Sequence, residues 1–370
     1  MIVVAKVGTS SITDDRGEIA RPAIDKFCAE VATLRGQGHK VVLVTSGAIA
    51  AGLPALGLSG PRAAPQAVPF NDVTTLQAVS AVGQSRLMRA YDDLLGGHGL
   101  VGGQVLLAPL DFFHRSQYLH ARATLRRLLE LGVVPVVNEN DAVAVDEIRF
   151  GDNDRLSALV AHLVSANLLV MLTDAPGLLS GDPRLDVNAT LIEEIVEIDH
   201  VLEAMAGGAG TWRGSGGMAS KLAAAKIAAW SGIRVVIASA NRPGVLPAAV
   251  ADEPGVGTVV RPHDRRLPAR KLWIAFAVAA AGTILVDDGA RRALEERGTS
   301  LLPAGVVDVV GGFDADDAVE ISDTGGRVFA KGIVRFGAAD LRQAAGQRTG
   351  DLPEALAREV VHRDDLVTLP

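Results

Sequence analysis

The feature of this sequence that most constrains its fold is an alternation of two kinds of segment. Over the first two-thirds of the chain, short runs of Val, Ile and Leu alternate with longer segments whose apolar residues recur at the helical period. This alternation is typical of an α/β protein with a mainly parallel sheet covered by helices. Because the strand runs are continuously apolar, they are predicted to be buried on both faces. The predicted strands are Ile2 to Val7, Val41 to Val44, Val133 to Val137, Leu168 to Leu172 and Arg234 to Ala238, and the predicted helices are Ala23 to Arg35, Thr74 to Leu95, Leu119 to Leu131, Asp154 to Ala166 and Gly217 to Ala229.

The residue composition of the sequence changes after residue 260. Residues 261–275 contain prolines and basic charges, and we predict a linker there between a larger domain over 1–260 and a smaller domain over 276–354. In the smaller domain, short β-prone runs separated by Gly and Asp turns favour a small β-barrel or sandwich. Residues 355–370 are polar and predict a loosely held tail. The β-prone runs are Thr283 to Asp287, Val306 to Val310, Ala318 to Ile321 and Val328 to Val334.

Composition and charge exclude several classes of protein. The chain has 370 residues, 48% of them hydrophobic and only 4% aromatic, so its core is expected to consist mainly of Ala, Val, Leu and Ile. A formal net charge of -7 argues against wholesale adhesion to nucleic acid or to an anionic membrane. Any phosphate-binding site is therefore expected to depend on a local group of positive charges rather than on the overall charge of the chain.

Neither the single cysteine nor the uncharged runs indicate an extracellular or membrane protein. Cys28 lies in a helical pattern and is expected to be a small core residue. The N-terminus lacks the pattern of a secretory signal, so a cytoplasmic location is the expectation. The run from Val41 to Leu58 is broken by Gly and Pro, and the run from Leu272 to Val286 is shorter than the ~20 residues of a spanning helix.

Two glycine-containing loops follow the first two strong strands. The first is Lys6 to Ser10, and the second is Thr45 to Gly52. In a parallel sheet both loops lie at the same edge and face one cleft, where backbone N–H groups can approach phosphate oxygens. The first loop alone is more typical of an ordinary strand-end turn. Neither loop has the Walker or the Gly-x-Gly-x-x-Gly pattern, which excludes the common P-loop and Rossmann assignments.

A polar segment, Asn138 to Val143, follows the predicted strand Val133 to Val137, and Gly151 to Asp154 comes shortly after it. Two interpretations remain open: a solvated turn followed by a helix cap at Asp154, or a binding site. In the second, Asp141 and Asn153 hold the ammonium and carboxylate groups of an amino acid, while another acidic side chain orients nearby lysines. The binding site is the favoured interpretation, because the glycine loops are predicted to accompany these segments.

Two further segments lie where a predicted strand ends or a predicted helix begins. Thr173 and Asp174 follow the strand Leu168 to Leu172, and the Pro and Gly residues after them are enough to explain the turn there. Gly214 to Lys221 is a glycine-rich loop that runs into an alanine-rich helix. The N–H groups at such a helix start, with a lysine in the first turn, are suited to hold nucleotide phosphates.

Together these segments resemble the amino-acid kinase family over nearly the whole chain. The most discriminating segments are Val44 to Gly52, Ala81 to Leu87, Asn138 to Val143, Gly151 to Asp154 and Ser215 to Lys221. Residues from about Gly282 to Gly350, with the stretch Ser300 to Gly305, resemble a PUA domain. The resemblance implies a three-layer α/β sandwich with a mainly parallel central sheet, followed by a small β-barrel-like PUA domain.

Carried to this sequence, the resemblance implies a role for each matching residue. Lys6 and Lys221 are expected to contact ATP phosphates, and Asp154 to organise these two lysines in catalysis. Ser46, Asp141 and Asn153 are expected to bind glutamate. ATP binding is assigned to Lys6, Thr173, Asp174, Ser215, Gly216, Gly217, Met218, Ala219, Ser220 and Lys221.

Two segments depart from the family pattern. Ser215 stands where relatives often have threonine, but the hydroxyl is retained. The segment Gly60 to Asn71 carries extra Pro and Ala residues, which leaves the contacts of this loop open.

The implied activity is ATP-dependent phosphorylation of the side-chain carboxylate of L-glutamate to L-glutamyl 5-phosphate, the first step of proline biosynthesis. A carboxylate is already ionised at neutral pH, so direct in-line transfer needs positive charge and N–H donors rather than a general base. Mg²⁺ is expected to enter with ATP, and the eight histidines have no metal-ligand spacing. The resemblance also implies proline as a feedback inhibitor and a dimer or tetramer.

Two alternatives remain open from the sequence. The nearer is another small-molecule kinase of the same fold, which acts on a different carboxylate, a carbamate or a nucleotide. The farther is an RNA-binding protein, because PUA domains in other proteins bind RNA; the acidic balance and the lysine-glycine loops disfavour it.

Overall fold

A computed structural model of the protein describes residues 1–14, 18–58, 72–112, 115–143, 153–181, 186, 188–206, 217–263, 266–276, 278 and 280–369. The chain divides into two compact units, Met1–Arg266 and Leu267–Pro370. Among the helices of these residues, not one combines the length and the apolar character that a membrane crossing requires.

The first unit is built on a sheet with eight strands in the described residues. From one edge to the other the order is β3-β4-β2-β1-β5-β7-β8-β6, and all neighbours from β3 to β7 are parallel. The carboxyl ends of these six strands therefore lie at one edge. β8 runs antiparallel to β7, and β6 is parallel to β8. The strands are β1 (Ile2–Val7), β2 (Lys40–Thr45), β3 (Gly102–Leu107), β4 (Val134–Glu139), β5 (Leu168–Thr173), β6 (Glu194–Ile195), β7 (Arg234–Ser239) and β8 (Thr258–Val260).

Helices cover both faces of this sheet. Val3, Ala5 and Val7 of β1 share one apolar core with α1, α3 and α8, whereas α4, α5 and α7 contact the strands on the other face. Lys6 alternates with Ala5 and Val7 and so lies on the face of α5 and α7. The predicted α/β sandwich is confirmed. The helices are α1 (Arg21–Gly36), α2 (Ala48–Ala55), α3 (Val73–Gly97), α4 (Arg115–Glu130), α5 (Asn153–Val164), α6 (His200–Ala206), α7 (Met218–Trp230) and α8 (Val245–Val250).

The second glycine loop is shorter than predicted. Residues from Thr45 to Gly52 were expected to form one loop, but α2 begins at Ala48, so only Ser46 and Gly47 connect β2 to this helix. Gly47 has φ +100°, a left-handed conformation in which a side chain would be strained. The alanine-rich sequence that follows is a good helix former, which explains the early start of α2.

α2 and α3 contact each other through backbone atoms. A Cβ at Gly83 would lie 1.8 Å from the carbonyl oxygen of Ala48, and a Cβ at Gly52 would lie 2.1 Å from that of Val79. No residue larger than glycine fits either position without a shift of the backbone. This contact places the middle of α3 directly beside the loop that ends β2.

The second unit contains a smaller sheet in the order β10-β9-β11-β12-β13. β9 and β11 are parallel, and the other neighbours are antiparallel. Its core includes Ile284, Val319, Phe329 and Leu341. The elements are β9 (Gly282–Val286), β10 (Val306–Gly311), β11 (Ala318–Asp323), β12 (Val328–Val334) and β13 (Val361–Thr368), with helices α9 (Ala269–Phe276), α10 (Asp288–Arg297) and α11 (Ala338–Ala344).

The structure differs from the predicted linker and tail. Residues 355–370 do not form a loose tail as a whole, because half of them, Val361–Thr368, are the edge strand β13, which pairs with β12. Much of the predicted linker 261–275 belongs to α9. Ile274 of this helix packs on Ile333 and Val367 in the second unit. Both segments were missed because few apolar residues, separated by charged ones, are enough to cover a small sheet.

Candidate active site

The residues singled out from the sequence meet at the carboxyl edge of the parallel sheet. Lys6 lies at the end of β1, Ser46 follows β2, and Asp141 follows β4. The first turns of α5 and α7 lie at the same edge and carry Asp154 and Lys221. Ser215 and Gly216 fall outside the described residues, as does the predicted loop Gly60 to Asn71.

Asp154 joins the two lysines in a buried ion-pair cluster. The Lys6 Nζ lies 2.8 Å from the Asp154 Oδ1, and the Lys221 Nζ lies 3.2 Å from the Asp154 Oδ2. All three side chains are buried, with 1% of Asp154 exposed. Residues 6 and 221 are far apart in the sequence, and a single carboxylate brings their ammonium groups together.

The charge of Asp154 depends on these lysines. Burial alone would raise the pKa of this carboxyl group, but the charges of Lys6 and Lys221 outweigh burial and hold its pKa below the ordinary value. The carboxylate is therefore ionised at neutral pH. One negative and two positive charges leave the cluster with a net charge of about +1, which favours a polyanion nearby.

The start of α7 adds hydroxyl and backbone groups to this cluster. The Ser220 Oγ lies 2.6 Å from the Asp154 Oδ2 and 3.1 Å from the carbonyl oxygen of Gly217, and its single proton donates to one of these two acceptors at a time. Gly217 is the N-cap, and Met218, Ala219 and Ser220 form the first turn. The N–H groups of this turn have no acceptor within the helix, and with the adjacent lysine they make a suitable anion site.

Two other predicted nucleotide residues lie at the neighbouring strand end. Thr173 ends β5 and donates from its Oγ1 to the Asp174 Oδ1 at 3.0 Å. Thr173 is buried and Asp174 is exposed. Because β5 lies between β1 and β7, these residues adjoin Lys6. A Cβ placed on Gly8 would lie 3.5 Å from the Lys6 Nζ, so the first glycine loop also runs beside this ammonium group.

A network of side-chain amides forms the other half of the site. The Asn153 Nδ2 donates to the Ser46 Oγ at 2.8 Å and to the Asn138 Oδ1 at 3.1 Å. The Asn138 Nδ2 in turn donates to the Gln84 Oε1 at 2.8 Å. All four side chains are largely buried. Because Asn153 and Asp154 are consecutive, this network begins directly beside the lysine cluster.

Asp141 supplies a negative charge to the amide half. It begins a 3₁₀ turn after β4 and accepts a hydrogen bond from the Ser80 hydroxyl. Burial raises the pKa of Asp141 above its usual range, and the hydrogen bond from Ser80 offsets part of this rise. No lysine or arginine ion pair to Asp141 occurs among the described residues, so this carboxylate is suited to receive an ammonium group.

Sequence reasoning assigned no role to Ser80, Gln84 or Asn138. Ser80 and Gln84 are four residues apart on α3 and therefore lie on one face of that helix. Two polar residues at this spacing, with Gly83 beside them, were the signal that could have drawn attention to the helix. Asn138 was noted only as part of a polar run, although it accepts two hydrogen bonds at the centre of the network.

The described ranges contain no group of three His, Cys, Asp or Glu side chains that would hold a metal ion. Asp154, the buried acid of the lysine cluster, uses one oxygen for each lysine. The arrangement thus suits two organic anions, with one bound at the lysines and the other at the amide network.

Comparison with known proteins agrees with this geometry. The profile described as "Amino acid kinase family" matches residues 1–239, and the PUA domain profile matches residues 282–355. The first match covers more than half of the chain. The chain belongs to the amino acid kinase family. Every site residue described above lies within the amino acid kinase match, and the second unit carries the PUA domain.

Relatives of this amino acid kinase extend over its whole length. "Glutamate 5-kinase" of Synechococcus sp. (strain JA-3-3Ab) is 46% identical, covering 99% of this chain and 98% of the relative. "Glutamate 5-kinase" of Pelobacter propionicus is 43% identical, covering 99% and 97%. Among solved structures, the isopentenyl phosphate kinase of T. acidophilum in its product complex is 19% identical, has a TM-score of 0.48 and covers 70% of this chain and 100% of that chain.

Proposed function

We propose that the protein transfers the γ-phosphoryl group of ATP to the side-chain carboxylate of L-glutamate and forms L-glutamyl 5-phosphate, the first step of proline biosynthesis. The observation that carries this proposal is the buried Lys6–Asp154–Lys221 cluster, which adjoins a site of amide and carboxylate side chains. The choice of glutamate rests on relatives of that name at 43 to 46% identity.

The nucleotide is assigned to the lysine half. The phosphates lie against the first turn of α7, the loop at Gly8 and the two ammonium groups, with Thr173 and Asp174 at the neighbouring strand end. Mg²⁺ enters as the Mg-ATP complex, in which phosphate oxygens and water supply most of its ligands. Asp154 does not replace them, because both of its oxygens face lysines.

Glutamate is assigned to the amide half. Its ammonium group is received by the Asp141 carboxylate, and Ser46 and Asn153 hold the substrate beside the lysines. The side-chain carboxylate then points toward the γ-phosphate. An oxygen of this carboxylate forms the new bond to phosphorus while the bond from phosphorus to the ADP oxygen breaks.

No proton has to move in this transfer, because the attacking carboxylate and the leaving ADP are both anions. The barrier comes mainly from bringing negative charges together. Lys6 and Lys221 stabilise the charge that spreads over the phosphoryl oxygens, and Asp154 keeps both ammonium groups aimed at it. The site therefore works by electrostatics and positioning.

Three further properties are proposals from the family resemblance: feedback inhibition by proline, a dimeric or tetrameric state and a cytoplasmic location. Proline matches glutamate in its α-carboxylate and ammonium groups, so it competes for the amide half.

A substrate panel tests the proposed function. ATP consumption is measured with glutamate, N-acetylglutamate, aspartate and UMP, with and without proline, and the acyl phosphate is trapped by hydroxylamine as a hydroxamate. We expect turnover and hydroxamate formation with glutamate, reduced by proline. Turnover with UMP or N-acetylglutamate in place of glutamate would contradict the proposal and favour another kinase of this fold.

Charge disfavours RNA binding by the second unit. Residues 267–370 contain 12 Lys and Arg against 16 Asp and Glu, a net charge of −4. Affinity for RNA backbone requires clustered positive charge and falls steeply with salt. We expect RNA affinity to be at most nonspecific, and a salt titration of labelled RNA binding measures it.

A further inference from the structure

The orientation of the buried amides follows from one main-chain hydrogen bond. The backbone N–H of Glu139 donates to the Asn138 Oδ1 at 2.9 Å. A backbone N–H is always a donor, so the atom that it contacts has to be the amide oxygen rather than the nitrogen. The side-chain NH₂ of Asn138 must then face an acceptor.

This constraint passes to the two neighbouring amides. The Asn138 Nδ2 faces the Gln84 Oε1 at 2.8 Å, so the Gln84 NH₂ group occupies the other branch of its amide. The Asn138 Oδ1 also accepts from the Asn153 Nδ2 at 3.1 Å, which places the Asn153 Oδ1 on its other branch. The network therefore has one arrangement, with one free donor and one free acceptor.

Both free groups are buried and have no partner among the described residues. They are the Gln84 Nε2 and the Asn153 Oδ1. Only 9% of Gln84 and 3% of Asn153 is exposed. An unsatisfied buried polar group costs free energy, and in native proteins such groups are few and call for an explanation. The free Gln84 donor matches a carboxylate oxygen, which an amino-acid substrate supplies.

We propose that Gln84 is a substrate-binding residue whose Nε2 donates a hydrogen bond to the α-carboxylate of the amino-acid substrate. This proposal rests on the proposed function. The network runs from Asn153, beside the lysine cluster, through Asn138 to Gln84. The side-chain carboxylate of glutamate has to reach the phosphoryl group near the lysines. The α-carboxylate is then the substrate group that lies toward Gln84.

The backbone around Gln84 is held firmly for this role. Gly83 lies against the carbonyl of Ala48, and Ala48 begins the helix that follows Ser46. Gln84 and Ser46 therefore sit on two segments whose separation is fixed by direct main-chain contact. Because the backbone position of Gln84 is fixed, a hydrogen bond from its side chain can contribute to substrate selectivity.

The substitution Gln84→Glu tests the proposal sharply. Glutamate at this position keeps an oxygen for the Asn138 NH₂ and has the same shape, but it replaces the Nε2 donor by a second oxygen. The probes are L-glutamate and its α-amide, L-isoglutamine, which retains the side-chain carboxylate but presents an NH₂ group where glutamate has a carboxylate oxygen. Gln117→Glu, on an exposed position of α4, is the control for the added charge.

We expect Gln84→Glu to lower kcat/KM for glutamate by at least about tenfold through KM, with KM for ATP unchanged. For L-isoglutamine, kcat/KM should fall less or should rise. The preference for glutamate over its α-amide therefore shrinks by about tenfold or more. If Gln84 had only a structural role, the substitution would change kcat/KM for both substrates by the same factor. Gln117→Glu should leave both unchanged.

Retention of the wild-type preference in folded Gln84→Glu would overturn the inference while leaving the proposed function intact. If that variant fails to fold, Gln84→Leu gives the second test, with the same loss for glutamate and the same loss of preference expected. Absence of glutamate turnover in the wild-type enzyme would instead overturn the proposed function itself.

Discussion

At the scale of single residues, Asp154 determines the chemistry of the site. Its carboxylate pairs with both lysines, and burial keeps water from screening these interactions. The sequence pointed to this group of three through its resemblance to the amino-acid kinase family, which assigned Lys6 and Lys221 to phosphate and Asp154 to the two lysines. It did not predict Ser80 and Gln84, because their approach to the site depends on how a helix packs rather than on a strand end.

Replacement of Lys221 by methionine should lower kcat by about a hundredfold or more, because its charge acts mainly on the transition state. Asp154 retains its pair with Lys6, so the fold should persist. Lys226→Met on the same helix is the matched control, since Lys226 pairs with the exposed Glu203. Steady-state kinetics and thermal unfolding of both variants measure the effect. Near-normal turnover of Lys221→Met would reject the assigned role.

Replacement of Asp141 by asparagine should raise KM for glutamate by about tenfold or more and leave KM for ATP largely unchanged. Burial raises the pKa of Asp141, so wild-type KM for glutamate should rise as pH falls through that raised value and the carboxylate loses its charge. The variant should lack this pH dependence. A fall in ATP affinity with glutamate affinity retained would reverse the assignment of the two halves.

The same shift fixes the sign of the effect of Asp141 on stability. A carboxyl group whose pKa is raised in the folded state binds its proton more tightly there than in the unfolded chain. Its ionised form therefore reduces stability at neutral pH, and this cost declines as pH falls through the raised pKa and vanishes below the lower pKa of the unfolded chain. Asp141→Asn should accordingly be no less stable than the wild type at pH 7 in thermal unfolding.

At the scale of elements, the sequence predicted the buried strands and long helices better than the edges and short pieces. β1, β5 and β7 each contain a run of at least four consecutive apolar residues, and this pattern is distinctive. β3 begins with Gly102 and Gly103 and lies half-exposed at the edge of the sheet, and its apolar run is limited to Val105–Leu107. β13 is similar: charged residues at its middle face solvent, while its two ends carry the buried residues.

Gly83→Ala should destabilise the first unit by about 3 kcal/mol or more, because the new methyl group would overlap the Ala48 carbonyl. It should also raise KM for glutamate, since Ser46 and Gln84 flank this contact. Gly96→Ala, on the same helix with nothing within 4 Å of the added atom, should instead stabilise by about 0.5–1 kcal/mol. Urea unfolding compares the two. Equal stability of both variants would contradict the contact described here.

At the scale of the whole molecule, the two units have separate cores. The composition predicted a core of small aliphatic residues, and the first unit uses them throughout the strands. The division near residue 266 could not be predicted to the residue, because it falls inside the basic stretch Arg261 to Lys271, and α9 begins at Ala269 before that stretch ends.

Cys28 should report on the opening of the first unit. It is the single cysteine of the chain, it is fully buried in α1, and burial raises the pKa of its thiol to about 12. The thiolate is the reactive form, so iodoacetamide at pH 8 should label the native protein very slowly and the urea-unfolded protein rapidly. Gly83→Ala should speed labelling at intermediate urea, and Gly96→Ala should slow it. Rapid labelling of the native protein would contradict the described burial.

Main-chain atoms set the spacing between α2 and α3 at Gly52 and Gly83. Where side chains separate two helices, successive exchanges among Ala, Val and Leu can move them apart by small steps during divergence. Here there is no side chain to exchange, so substitutions in the core leave the spacing between the segments that carry Ser46 and Gln84 unchanged. A descendant that bound a longer acid between these segments would have to change other side chains of the site or alter the chain length between β2 and α3.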